Sequence, residues 1–305
     1  MRKKESVYLT STKKMDHRTA YLMVLPSLIM LCIFVLLPLF LAFERSFYDW
    51  RFYKDSIFIG FENFRMVLLN SMFQASIKNI LWFVALIVPV QIIVTFLFAH
   101  ALKGMTSSLS AFVKTAIYVP TVISGVVASV IFLFIFNYQG GLINWAVRQL
   151  GGKRIAFLAE PLLARGTVSL TALWMGFGYN SLVMFSGLQN VPQSYYEAAE
   201  VDGAGKWTKL IKITIPSMKN VFILIIINLM TGTLQLFDLP YMMFNATGGP
   251  VNSCLTPMVY VYNNFKSADY SQGYTVAAAL LLMIVIGILN GIVFTIIGSE
   301  KAQDE

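Results

Sequence analysis

Six apolar runs, each close to the length that crosses a lipid bilayer, constrain this chain more than any other feature of its sequence. They lie near Ala20 to Phe43, Ile77 to Ala101, Phe112 to Phe136, Thr167 to Leu188, Val221 to Phe237 and Tyr274 to Ile297, the fifth being the shortest and most polar. A helix spanning the hydrocarbon core takes about 20 mostly apolar residues at about 1.5 Å each. With no water to satisfy the backbone, a span must close its own hydrogen bonds. The expected fold class is therefore an all-α membrane protein with six transmembrane helices. Composition agrees: 57% of residues are hydrophobic and 12% charged, against about 25% charged in a soluble domain. Such apolarity also excludes disorder. A net charge of +8 is scattered among the apolar runs, so it points to a membrane and not to nucleic acid.

Orientation follows from the first arm. Arg2, Lys3, Lys4, Lys13, Lys14 and Arg18 precede the first run, and dense amino-terminal basic charge sets the amino terminus in the cytoplasm. Over the whole chain the bias is weak, with just over half of the 23 basic residues falling on that side. The first run is too long for a signal peptide and no small-residue cleavage site follows it, so it reads as a retained anchor. The expected organisation is a cytoplasmic arm over 1–19, one six-span domain over 20–298 and a cytoplasmic tail over 299–305. Cys32 and Cys254 fall in a span and an external loop, which makes their pairing implausible. No 20-to-50-residue repeat and no inverted similarity between the halves is visible.

The segment Val191 to Asn220, between the fourth and fifth runs, carries its own local chemistry. Ser194 with Glu197 three residues later matches a capping box, predicting a helix through Tyr195, Ala198 and Ala199. Gly203 and Gly205 predict a stop and a turn. Trp207, Leu210, Ile211 and Thr214 recur at helical spacing before Pro216. The expected product is a cytoplasmic helix-turn-helix displaying Tyr195, Tyr196 and Trp207, either as a docking surface or as a hairpin folding its aromatics onto the bundle.

Glu197-Ala198-Ala199, Asp202-Gly203-Ala204, Ile213 and Ile215-Pro216 resemble the EAA loop of the permease subunits of binding-protein-dependent ABC importers. The resemblance extends to Ile59–Phe64, Pro120–Asn144, Phe237–Phe265 and Gly273–Val285 and is closest to the sugar-importer branch. The chain departs from the family's pattern at Ile215, Gly205 and Cys254, where leucine, serine and threonine are common; Gly205 leaves the second helix less well capped. The resemblance implies an inner-membrane subunit of a bacterial carbohydrate importer with both termini cytoplasmic. Its implied partners are a second, homologous permease, two cytoplasmic ATPases holding ATP and Mg, an extracytoplasmic substrate-binding protein and membrane lipid. Tyr196, Glu197, Ala198, Ala199, Asp202, Gly203 and Trp207 would couple this chain to the ATPase.

No cofactor, metal or catalytic group is expected in the chain itself. A phosphate-binding loop needs G-x-x-x-x-G-K-S/T, and Gly152-Lys153 lacks both the upstream glycine and the hydroxyl. His17 and His100 lack metal-ligand spacing. For a substrate path, polar groups inside spans are the candidates, since they are costly in lipid. Asn228, Thr231 and Gln235 predict one polar face on the fifth run, and Trp174, Gly176, Tyr179 and Asn180 combine aromatic and amide chemistry suited to a sugar. The same residue types also join helices by hydrogen bonds, and Gly287 with Gly291 predicts helix packing. A secondary transporter is the alternative; it calls for intramembrane carboxylates, and Glu44 and Asp238 fall at span ends. A membrane-embedded enzyme is the third possibility, and would need a convergent cluster of reactive groups that the sequence does not display.

Overall fold

The structure, a computed structural model, describes residues 18–51, 54–267 and 271–298. The basic arm through Lys14 and His17, and the expected tail over 299–305, lie outside the described residues.

Helix α1 (Arg18–Arg45) runs through a π-turn at Cys32–Leu36. Pro38 has no N–H and its ring crowds the preceding turn, and the helix widens there: the Leu37 N–H reaches back five residues to the Cys32 carbonyl. A short antiparallel hairpin follows, β1 (Tyr48–Arg51) and β2 (Lys54–Phe58), with Tyr48 opposite Phe58. After α2 (Glu62–Leu69) comes α3 (Ser71–Lys103). Asn70 opens α3, its Oδ1 accepting from the N–H groups of Met72 and Phe73 at 2.9 and 3.2 Å.

The third apolar run, expected as one span over Phe112 to Phe136, is broken. It forms α4 (Ser107–Val122) and α5 (Gly125–Ile135), bent by 99°. Ile123 and Ser124 are extended, and Ser124 Oγ accepts from the Val127 N–H at 3.4 Å to start the second helix. A serine cap placed within an apolar run thus ends one helix and begins another. A short α6 (Leu142–Gln149) and the long α7 (Pro161–Gln189) follow, then α8 (Gln193–Val201). Residues 206–217 form α9, which contains a π-turn over Leu210–Thr214.

The fifth run is also interrupted. Helix α10 (Lys219–Leu234) stops at Gln235, short of the expected Phe237, and α11 (Asp238–Met243) resumes after a break. Thr256 Oγ1 donates to the Leu236 carbonyl at 2.7 Å, which satisfies part of the opened end. Helices α12 (Pro257–Lys266) and α13 (Gln272–Gly298) complete the chain. Among the described residues five segments are long and apolar enough to span, or six if the bent α4–α5 pair is one crossing.

Helices α3 and α7 form the centre, with α4 and α10 packed on them. The approach of α7 to α4 is so close that a Cβ on Gly178 would collide with the Ile117 carbonyl. One apolar layer joins Phe83 and Ile87 of α3 to Phe132 of α5, Val168 of α7 and Leu234 of α10. A second packs Leu102, Met184, Leu188 and Ile225 near α8 and α9, and a third packs Phe73, Tyr260 and Tyr274 at the opposite end. A Cβ on Gly287 or Gly291 would meet nothing within 4 Å, so these glycines make no close approach to another described helix of this chain. Almost all of α1 is exposed apolar surface, as suits a helix facing lipid.

The loop between α11 and α12 is held by a polar knot. Arg165 donates from Nη2 to Asn79 Oδ1 at 2.7 Å and from Nε to the Ser253 carbonyl at 2.9 Å. Asn79 Nδ2 donates to the carbonyls of Asn252 and Leu255 at 2.7 and 3.0 Å. Between them Cys254 is buried, and burial pushes its thiol up to about 11, which keeps it protonated and unreactive. Asn79→Leu leaves a guanidinium and two carbonyls short of partners, at a cost of roughly 2–4 kcal/mol. The variant is expected to unfold at lower temperature in a thermal-shift assay and to expose Cys254 to maleimide at pH 8, where the wild-type thiol stays unlabelled.

Candidate functional site

A cavity of about 430 Å³ opens where α3, α5, α7, α10 and α11 converge. Its polar lining comes from Gln91, Asn228, Thr233, Gln235 and Asp238. The two helix breaks create it. At the α10 break the chain turns across the bundle and brings Asp238 against the first residue of α5: a Cβ on Gly125 would fall 2.8 Å from Asp238 Cβ and 2.9 Å from its Oδ2. The carboxylate therefore lies at the amino-terminal end of α5, where the helix dipole favours negative charge. Gln91 is 2% exposed. Its side-chain amide donates to the Leu173 carbonyl and accepts from the Phe177 N–H, both at 3.2 Å, bridging one turn of α7.

The sequence candidates separate. Asn228 and Gln235 line the cavity. Thr231, expected on the same face, instead accepts a hydrogen bond from Asn290 Nδ2 of α13 at 2.9 Å: three residues on from Asn228 the helix has turned about 60° short of a full turn, enough to aim Thr231 at α13. Trp174 packs on Phe132 with ring centroids 5.4 Å apart. Asn180 is buried and donates to the Gly176 carbonyl at 2.8 Å within α7, while Gly176 faces that amide and Gln91. Tyr179 is exposed and does not line the cavity. Gln91 and Asp238 were missed. A glutamine in the middle of the second run is the kind of polar intramembrane group that flags a site, whereas Asp238 reads as a span end until the break folds it inward.

At the opposite end of α7, residues 193–217 form a helix-turn-helix. The Ser194–Glu197 capping box does not form: Pro192 takes the N-cap position without a side-chain acceptor, and Ser194 already lies inside α8. Extended Pro192 turns the chain into the helix earlier than the serine would. Glu197 is thereby left exposed with no capping duty. The turn is a Schellman motif, with Gly203 at φ +76° donating to the Glu200 carbonyl at 3.0 Å and Ala204 donating to Ala199 at 2.8 Å. As its composition suggests, Gly205 begins α9 without a side-chain cap. Of the three aromatics expected on display, Tyr195 and Trp207 are exposed. Tyr196 is half-buried, its hydroxyl 2.9 Å from Thr214 Oγ1 and the Lys103 ammonium 5.0 Å above its ring. Ala198 and Asp202 are exposed and Ala199 is half-buried. Lys209 Nζ lies 3.4 Å from Glu200, a tie between the two helices.

This arrangement, membrane helices around a polar cavity with a helix-turn-helix at one end, is that of a transport permease, and residues 104–301 match the family of binding-protein-dependent transport system inner membrane components. The chain belongs to that family and to its sugar-importer branch. It is 31% identical over 281 residues to the lactose transport system permease protein LacF of Rhizobium radiobacter, covering 91% of this chain and 94% of that one. With the trehalose/maltose transport system permease protein MalF of Thermococcus litoralis it shares 27% identity over 278 residues, covering 90% and 93%. A bacterial ABC transporter involved in the import of the acidic polysaccharide alginate has a chain of the same fold, with TM-score 0.81 at 22% identity, covering 96% of this chain and 99% of that one. The protein is thus a multi-pass inner-membrane transport subunit.

The geometry separates two groups of polar residues by what their loss should do. Asn228→Leu and Gln235→Leu are expected to cut uptake at least tenfold, the effect of losing one hydrogen bond to a substrate left unpaired, about 1.4 kcal/mol. Thr231→Val removes a helix tie and is expected to lower thermal stability with smaller effect on uptake. Uptake and melting measured on the same reconstituted preparations check both.

Proposed function

We propose that this chain forms, with a second homologous permease, the membrane path of an ATP-driven carbohydrate importer, receiving its substrate from an extracytoplasmic binding protein. The polar cavity carries the reading. Amides that donate to and accept from vicinal hydroxyls, and a carboxylate that accepts from them, are gathered among helices whose other faces are apolar, and about 430 Å³ lies within the size range of small-molecule sites. The lactose and trehalose/maltose relatives support a saccharide. In this reading Asn228, Gln235 and Asp238 hydrogen-bond the sugar, Gln91 holds α3 to α7, and Trp174, Gly176 and Asn180 keep α7 in place behind them. Tyr179 is then left for a contact outside this chain.

ATP and Mg belong to two partner ATPases, since the chain has no phosphate-binding loop. Residues 191–220 lie in the cytoplasm with both termini, and α8 docks on an ATPase through Glu197, Ala198 and Asp202. Tyr196, tied to Thr214 and under Lys103, passes movement of α8 to α9 and α3. Ala199 and Gly203 build the turn that sets the angle of α8. Asp238 in the cavity is the one observation that would suit an ion-coupled secondary transporter; family membership favours the ATP-driven reading.

Two experiments test this. Affinity purification of the chain from its native membrane is expected to bring down an ATPase and a second permease, and an isolated chain that concentrated sugar against a gradient would contradict the assignment. Gly203→Val forces a branched side chain into a left-handed conformation at a cost of roughly 1–2 kcal/mol. There is open space around that position, so the effect is on the turn and not on packing. The reconstituted variant complex is expected to insert normally but to lose substrate-stimulated ATP hydrolysis and uptake together.

A further inference from the structure

The two helices of the helix-turn-helix differ in charge and in surface. Helix α8 has Glu197 and Glu200 and no basic residue, with Asp202 just beyond it, whereas α9 has Lys206, Lys209 and Lys212 and no acidic residue. Along α9, Trp207, Ile211 and Ile215 are 76%, 59% and 39% exposed; spaced by four, they fall on one side of the helical segment. An apolar stripe that large on so short a segment is unfavourable in water. Between α9 and the last turns of α3 lies a second cavity of about 490 Å³. Leu97, Leu210 and Trp207 give it apolar walls, Tyr196 of α8 and Thr214 close its inner side, and Lys206 and Lys209 with His100 give it a polar, largely basic rim. Lys209 is engaged with Glu200, while Lys206 forms no ion pair among the described residues. The cavity sits where the apolar run of α3 gives way to His100 and Lys103, the level at which hydrocarbon meets headgroups.

Indole, aliphatic stripe and flanking lysines together are the chemistry of a helix lying in a membrane interface, and a basic pocket at that depth matches the phosphate of an anionic lipid. We propose that α9 lies on the surface of the cytoplasmic leaflet and that the cavity between α9 and α3 binds the headgroup of an anionic phospholipid, with an acyl chain along Leu97 and Trp207. The proposal rests on the reading that residues 191–220 are cytoplasmic and that α8 meets the ATPase. It divides the loop by surface: the acidic helix faces the ATPase and the basic helix lies against the bilayer, while Tyr196–Thr214 and Lys209–Glu200 keep the two helices moving together. Trp207, grouped by resemblance with the coupling residues, is thereby assigned to lipid.

The test is photocrosslinking in the assembled complex, reconstituted in vesicles of equal phosphatidylglycerol and phosphatidylcholine, with p-benzoylphenylalanine in place of Trp207 or, separately, of Tyr195. Position 207 is expected to give phospholipid adducts enriched in phosphatidylglycerol roughly fivefold, as expected for one lysine near the surface, and Lys206→Gln is expected to remove most of that enrichment. Position 195 is expected to label the ATPase. Adducts from 207 to the ATPase or the second permease, equal labelling of the two lipids, or no adduct at all would overturn the lipid site. Anionic-lipid labelling at 207 without ATPase labelling at 195 would leave the lipid site standing and remove the coupling reading instead.

Discussion

Backbone polar groups taken out of water must find partners inside the chain, and the architecture follows from how this protein meets that demand wherever a helix is interrupted. Each break carries its own repair. The π-turns before Pro38 and Pro216 redirect the Leu37 and Ile215 N–H groups to carbonyls five residues back. Ser124 caps the helix that starts after the α4–α5 bend, and Thr256 reaches across to the Leu236 carbonyl at the α10 break. Asn79 and Arg165 together satisfy three carbonyls of the loop between α11 and α12. Irregular backbone is tolerated at these places because a longer backbone bond, a local cap or a side chain from elsewhere in the fold completes it.

Those repaired breaks also make the polar cavity. A bundle of uninterrupted apolar helices would close on itself and leave no polar space. By bending α4–α5 through 99° and stopping α10 at Gln235, the fold opens a cavity and places Asp238 in it beside the start of α5. Asn228 and Gln235 line that space, Gln91 lines it while bonded to α7, and Thr231 and Asn180 are drawn into helix-to-helix or within-helix bonds away from it. The same residue types therefore serve two ends, and local geometry decides which.

At the other end, the helix-turn-helix is tied to the bundle at one residue and turned back at another. Tyr196 is clamped between Thr214 and Lys103, and the Schellman turn at Gly203 sets the exit of α8 through two backbone hydrogen bonds. Neither tie draws on the exposed face of α8.

Long apolar runs, the absence of a phosphate-binding loop, the position of the helix-turn-helix and the left-handed turn at Gly203 were legible in the residues, because each rests on local chemistry: hydrophobic length, a motif's fixed spacing, or the steric freedom of glycine. The family resemblance read from the EAA segment was legible for the same reason. What tertiary structure decided is where each polar group points and where each span breaks. The Ser194–Glu197 pair has the spacing of a cap, yet the helix begins at Gln193 and the pair goes unused. Asn228 and Thr231 sit three apart on one helix, yet one faces the cavity and the other bonds Asn290 on α13. Spacing along a chain specifies a direction relative to a helix axis, whereas a hydrogen bond needs a partner at about 3 Å, and only the packing of the other helices determines which partner stands there.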